Sequence, residues 1–145
     1  MDKNFLWAPW RMDYIQNPNK EQDVFLKKIK SSDDRKHLVL HRSVNSFVVM
    51  NLYPYNNGHL MVVPYEKYDD MTKLNVDTLS EIMSLSKDSM KILKDKLHCE
   101  GFNFGLNMGK AAGAGIDDHL HFHIVPRWMG DSNFMPVTGH TKIIM

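Results

Sequence analysis

The 145-residue chain contains one cysteine, Cys99, so it can close no internal disulfide and offers no thiolate set for a zinc cage. It also lacks an excess of either charge. Its 18 basic and 17 acidic residues leave a net charge of +1, which argues against bulk electrostatic capture of nucleic acid or an anionic membrane. Phosphate-bearing ligands stay possible, because backbone amides and a few side chains bind them without bulk charge. No apolar run approaches the ~20 residues of a membrane span. The start, Met1-Asp2-Lys3-Asn4-Phe5, lacks the basic-then-apolar pattern of a secretory signal. A soluble, cytoplasmic protein is the expectation. Without repeats or low-complexity tracts, the chain reads as a single domain over 1–145, with an aromatic N-terminal arm at 1–20 and a C-terminal tail at 130–145.

Hydrophobic residues make up 43% of the chain and charged residues 24%, enough apolar material for one core. Val24, Phe25, Leu26 and Ile29 sit among lysines between Gln22 and Asp34, a pattern that fits a short helix or a strand-turn. His37 to His41 alternates as a short strand. Ser46–Leu52 and His59–Pro64 are β-rich runs joined by Pro54-Tyr55-Asn56-Asn57-Gly58, whose turn chemistry predicts a hairpin. From Asn75 to about His98, apolar residues (Val76, Leu79, Ile82, Met83, Met90, Leu93, Leu97) recur mostly three, four or seven apart. That spacing predicts one long amphipathic helix, with Thr78 and Glu81 able to form a capping box and Glu100-Gly101 ending it. Phe102–Met108 alternates again, and the tail carries weak strand character at Thr141–Ile144. The order of elements predicts an α+β domain: an antiparallel sheet of about five strands with one long helix.

Three of the eight histidines are packed into His119-Leu120-His121-Phe122-His123-Ile124-Val125. A strand repeats its facing every second residue, about 6.8 Å apart, so the three imidazoles share one face while Leu120, Phe122 and Ile124 fill the other. Imidazole titrates near neutrality and serves as nucleophile or metal ligand. Just upstream lies Gly109-Lys110-Ala111-Ala112-Gly113-Ala114-Gly115, small residues whose backbone amides can approach an anion closely. Two chemistries stay open on these residues alone. One is a metal site, with His59 as a further ligand and Asp117 or Asp118 nearby. The other is nucleophilic attack on phosphorus, in which an imidazole forms a covalent intermediate and its neighbours orient it and stabilise charge.

At these positions the sequence resembles the histidine-triad (HIT) family, whose three alternating histidines match His119–Val125. The stretch Asn51–Pro64, the loop Asn107-Met-Gly109 with Ala112-Gly-Ala-Gly-Ile116, and Pro126-Arg-Trp128 agree as well. So do Trp7-Ala-Pro-Trp-Arg-Met12 and Gly130-Asp-Ser-Asn-Phe-Met-Pro136. Together they are similar to the bacterial branch related to the fragile-histidine-triad hydrolases and diadenosine tetraphosphate phosphorylases. The resemblance implies an α+β fold whose sheets join across a homodimer. It implies cleavage of dinucleoside polyphosphates at an α-phosphate through a nucleotidyl-histidine, with water or phosphate as acceptor and no cofactor. A nucleoside phosphoramidate hydrolase is the alternative within the chemistry, and a non-catalytic nucleotide-binding protein the alternative outside it.

By position, the resemblance makes His121 the nucleophile, His119 its orienting neighbour, together with His59, and His123 the contact to phosphate and bridging oxygen. Asn51 falls where the family binds ribose hydroxyls. Asn107 and Gly113, Ala114, Gly115 and Ile116 fall where it holds phosphates. Two departures stand out. Where many bacterial relatives bind a structural zinc, this chain has Asp23, Leu26, Asn45 and Lys67, so no metal is expected. Where many members place Gln and Ser or Thr before the triad to grip the leaving phosphate, it has Gly115 and Ile116.

Overall fold

The computed structural model describes residues 24–131. The aromatic arm and most of the tail, with its expected strand at Thr141–Ile144, lie outside the described residues. One compact unit spans Asp23–Arg127. Of the other, Trp128–Asp131 is described: a turn in which the Asp131 amide donates to the Trp128 carbonyl (3.0 Å) and the Trp128 amide to the Asp131 carboxylate (3.0 Å).

The architecture is α+β. Among the described residues, β1 (Val39–Arg42), β2 (Ser46–Met50), β3 (Leu60–Pro64), β4 (Gly101–Gly105) and β5 (Phe122–Arg127) form one antiparallel sheet in the order β1-β2-β3-β5-β4. Among the described residues two α-helices accompany it, α1 (Val24–Lys30) and α2 (Val76–Leu97). The hairpin forms with Met50 opposite Leu60 and Ser46 opposite Pro64. That register divides the side chains between two faces. Phe47, Val49, Met61 and Val63 join Phe25 of α1 in one buried cluster, flanked by Ile29, Leu38, Tyr65 and Ile116. Val48, Val62, Phe122 and Ile124 point to the other face by alternation. Because Met61 pairs with His123, His123 belongs to the face that carries Phe25.

The segment left open between helix and strand-turn is helix α1, with Lys27, Lys28 and Lys30 in its last turn, where cations suit the helix dipole. Arg42 caps it from β1. Its guanidinium donates to the carbonyls of Lys28 (2.7 Å) and Ser31 (3.1 Å), while Asp34 holds the same group at 2.7 Å.

Helix α2 departs from its expected boundaries and stripe. Its N-cap is Asn75, whose side chain accepts from the Thr78 amide at 2.7 Å. Glu81 is drawn off to the strand ends, accepting from the Asn45 amide (3.0 Å) and the Ser46 hydroxyl (2.6 Å), so no Thr78–Glu81 capping box forms. The helix stops at Leu97 with His98 in the left-handed region at φ 51°. Its buried positions are Thr78, Ile82, Ser86, Ser89 and Leu93, whereas Val76 and Met83 are exposed. Small side chains at three of the five positions let the helix approach the sheet closely. Gly58 shows how close. At φ +76° it sits where a Cβ would lie 2.5 Å from Leu97 Cδ1, so any other residue before His59 is strained and must displace the Leu97 side chain. No helix among the described residues is long and apolar enough to cross a membrane.

Candidate active site

The β5 ladder begins at Phe122, three residues later than the alternating pattern suggests. His119 and His121 precede it, yet they are not loosely held. Residues 64–68, the end of β3 and the segment after it, hold this lead-in at three points. The His119 Nε2–H donates to the Pro64 carbonyl (2.9 Å), the Leu120 amide donates to the Tyr68 carbonyl (2.7 Å), and Lys67 pairs with Asp118 (2.7 Å). These contacts substitute for ladder bonds and keep the chain extended. The alternation therefore survives: the rings of His119 and His121 lie 5.3 and 5.2 Å from Phe25, and His121 packs edge-on to His123 at 4.8 Å.

Hydrogen-bond partners fix where each imidazole carries its proton. A carbonyl can only accept, so His121 Nδ1, 2.9 Å from the His119 carbonyl, carries hydrogen. In the neutral ring, Nε2 then holds the lone pair. Burial pushes the His121 pKa below its ordinary value, with the bond to the His119 carbonyl acting in the opposite direction. His119 is likewise lowered, first by burial, against the upward pull of the Pro64 carbonyl, with the Lys67 cation lowering it further. His121 is 7% exposed, and its lowered pKa favours the neutral ring near pH 7, in which Nε2 can attack without first losing a proton.

His59 and His123 form a second unit. The Tyr55 amide donates to His59 Nδ1 at 3.0 Å, and Asn51 Nδ2 approaches the same nitrogen at 3.4 Å. An amide cannot accept, so His59 Nδ1 is bare and its Nε2 carries hydrogen. That hydrogen is donated to His123 Nδ1 at 2.9 Å. By the same reasoning, neutral His123 has its proton on Nε2, as a donor. Beside it, Gly105 stands opposite His123 in the β4–β5 register, and nothing lies within 4 Å of the place a Cβ would occupy.

The four histidines are thus gathered, but in two pairs joined by the His121–His123 ring contact. The His119 carbonyl meets His121, while the His119 imidazole is spent on Pro64. His59 bonds His123 and not His121. Asn51 supports the His59 turn: its side-chain oxygen accepts from the Tyr53 amide at 2.9 Å. In the small-residue loop, Lys110–Ala112 makes a tight turn between Gly109 (φ 77°) and Gly113 (φ 83°). The amides of Gly113 and Ala114 close that turn onto the carbonyls of Lys110 (3.0 Å) and Gly109 (3.4 Å). Gly115 and Ile116 donate no backbone bond among the described residues, and Asn107 lies between β4 and this loop.

The donor sets do not suit a metal. Asp117 and Asp118 turn to Lys110 (3.7 Å) and Lys67 (2.7 Å), and among the described residues no group of three His, Cys, Asp or Glu is disposed to hold one. The positions matching the relatives' zinc fit no better. Leu26 has no donor, Asn45 faces Glu81, Lys67 is ion-paired, and Asp23 lies outside the described residues. Two contributors escaped the sequence reading. Phe25 looks like any apolar residue of a short helix, and residues 64–68 look like a plain turn. Only the fold brings them to the histidines.

Comparison with known proteins bears on this site. A family model described as HIT domain matches residues 33–129. The AP-4-A phosphorylase of Mycobacterium tuberculosis is 38% identical over 147 residues, covering 96% of this chain and 75% of that protein. The adenosine 5'-monophosphoramidase hnt1 of Schizosaccharomyces pombe is 29% identical over 104 residues, 72% of this chain and 73% of its own. Among solved structures, a zinc-bound histidine triad family protein from Mycobacterium smegmatis aligns with a TM-score of 0.60 at 27% identity, covering 66% of this chain and 68% of that one.

Proposed function

The chain belongs to the HIT family, and from that premise we propose that it is a nucleotidyl-transferring enzyme that cleaves dinucleoside polyphosphates at an α-phosphate. His121 Nε2 attacks the α-phosphorus in line. The phosphorus–oxygen bond to the departing nucleotide breaks as the phosphorus–nitrogen bond forms. His123 donates its Nε2 hydrogen to a phosphoryl or bridging oxygen, and His59 holds His123 in that orientation. His119 orients His121 through its carbonyl. In the second step water or inorganic phosphate attacks the nucleotidyl-histidine; the new phosphorus–oxygen bond forms as the phosphorus–nitrogen bond breaks, His121 leaves with its lone pair restored, and an attacking water releases its proton to solvent. No step requires a metal, because fixed hydrogen-bond donors oppose the developing charge. Asn51 serves the ribose side, and Asn107 with the loop Gly113–Ile116 the phosphates, chiefly through the Gly115 and Ile116 amides.

One observation carries this reading: the 2.9 Å bond from His121 Nδ1 to the His119 carbonyl, which commits one ring nitrogen and leaves the other as nucleophile. Similarity to AP-4-A phosphorylase across 96% of the chain supports the substrate class. The likeness to a phosphoramidase favours a second reading, hydrolysis of a nucleoside phosphoramidate by the same triad. Incubation with diadenosine tetraphosphate, with and without phosphate, tests the proposal. ATP and ADP formed only with phosphate identify a phosphorylase; ATP and AMP identify a hydrolase. Turnover confined to phosphoramidates supports the second reading, and nucleotide binding without any adduct would make the chain a non-catalytic binder. We place the enzyme in the cytoplasm as a homodimer paired along β4, an edge strand of the sheet among the described residues, where a second copy can add its own strand.

A further inference from the structure

We infer that Tyr55 is a positioning residue whose ring, stacked on His59, holds the His59–His123 pair in the single arrangement that presents the His123 Nε2 hydrogen as a donor. The ring centroids of Tyr55 and His59 are 4.8 Å apart at an interplanar angle of 23°, and the same ring lies 5.7 Å from His123. Tyr55 is 45% exposed, so it does not serve as a core side chain. What it covers is the hydrogen-bonded pair.

Two constraints on His59 come from this one residue. The Tyr55 amide meets the ring edge at Nδ1 and decides which nitrogen is bare. The Tyr55 side chain meets the ring face and opposes rotation of His59 out of the plane in which Nε2 reaches His123 at 2.9 Å. A water molecule reaching that face could compete for the Nε2 hydrogen, and a half-turn of the His59 ring would carry Nε2 away from His123 and break the bond. His59 itself is 1% exposed, and the preceding Gly58 abuts Leu97 and Leu93 of α2. The turn carrying Tyr55 is therefore seated on the helix and not left to the solvent. Its aromatic residue is the part of that turn that touches both imidazoles.

The inference rests on the reaction proposed above, in which His123 donates to a phosphate oxygen. Its test separates the two. Histidine-labelled protein is examined by nitrogen NMR, whose imidazole shifts distinguish bare from protonated nitrogens, alongside turnover of diadenosine tetraphosphate. Wild type should show His59 with a bare Nδ1 and protonated Nε2, and Tyr55→Phe should match it in both measurements. Tyr55→Ala keeps the backbone amide but loses the ring. It should show averaged His59 nitrogen shifts and a fall in kcat of about tenfold, with KM changed by less than about twofold. Unaltered His59 shifts in Tyr55→Ala would overturn the inference, as would Tyr55→Phe being as impaired as Tyr55→Ala. Absence of turnover in the wild type would defeat the proposed reaction, while the nitrogen shifts of the three proteins would still decide the role of Tyr55.

Discussion

Replacing Phe25 with alanine should raise the pKa of His121 and cost stability, and both effects can be sized from the structure. Phe25 is 2% exposed and its ring lies against His119 and His121 at once. Truncating a buried phenylalanine costs about 3–5 kcal/mol, a large part of the roughly 5–15 kcal/mol that holds a domain together. The variant should therefore be assayed below room temperature, with Phe25→Leu as the milder companion. The second effect follows from desolvation. Burial is the leading cause of the lowered His121 pKa, and part of that burial is the Phe25 ring. Water in the vacated space favours the imidazolium, so the acid limb of kcat/KM against pH should move to higher pH. Activity well above that limb should change far less. Linkage gives an independent check. A histidine whose folded pKa is depressed contributes stability that is complete above its unfolded value near 6.5 and is lost as pH falls through the folded value. Urea unfolding at several pH values between about 7 and 5 should thus show a shallower pH dependence in the variant than in the wild type. A variant that loses stability with no movement of the acid limb would refute the argument and reduce Phe25 to core packing.

Other consequences are simpler. Gly58→Ala combines positive φ with a clash at Leu97, so urea or thermal unfolding should show a loss of about 2–4 kcal/mol. Glu81→Gln weakens the carboxylate's bonds from Ser46 and Asn45 and should cost about 1–2 kcal/mol near neutral pH. Burial raises the Glu81 pKa, but those hydrogen bonds outweigh it and the net shift is downward. Its contribution is therefore present above the unfolded value and lost as pH falls through the folded one, and the two proteins should converge in stability in acid. Extensive dialysis against a strong chelator should leave turnover of diadenosine tetraphosphate unchanged, since Asp117 and Asp118 face lysines; lost activity restored by zinc would contradict the proposed chemistry.

Local rules made much of this molecule legible in the sequence. The hairpin follows from two β-rich runs around Pro54–Gly58, and the alternation at His119–Val125 brings three imidazoles to one side. What stayed hidden depends on groups remote in sequence. The buried stripe of α2 runs through Thr78, Ser86 and Ser89, because a close-packed sheet accepts small side chains where a hydrophobicity pattern expects Val76 and Met83. Glu81 leaves its expected cap because the strand ends at Asn45 and Ser46 offer three donors in reach. The orientation of each histidine was equally out of reach. It is set by the Pro64 carbonyl, the His119 carbonyl and the Tyr55 amide, and main-chain groups carry no mark in an amino-acid sequence.

The central claim is that His121 Nε2 is the nucleophile. The most direct measurement is mass analysis of enzyme quenched with denaturant at alkaline pH, where a phosphorus–nitrogen bond survives, after brief exposure to diadenosine tetraphosphate, with fragmentation to locate any adduct among His119, His121 and His123. The account predicts one adenylyl group on His121, and for His121→Ala no adduct and no turnover but retained nucleotide binding. Near-normal turnover by His121→Ala, or an adduct on another residue, would contradict it.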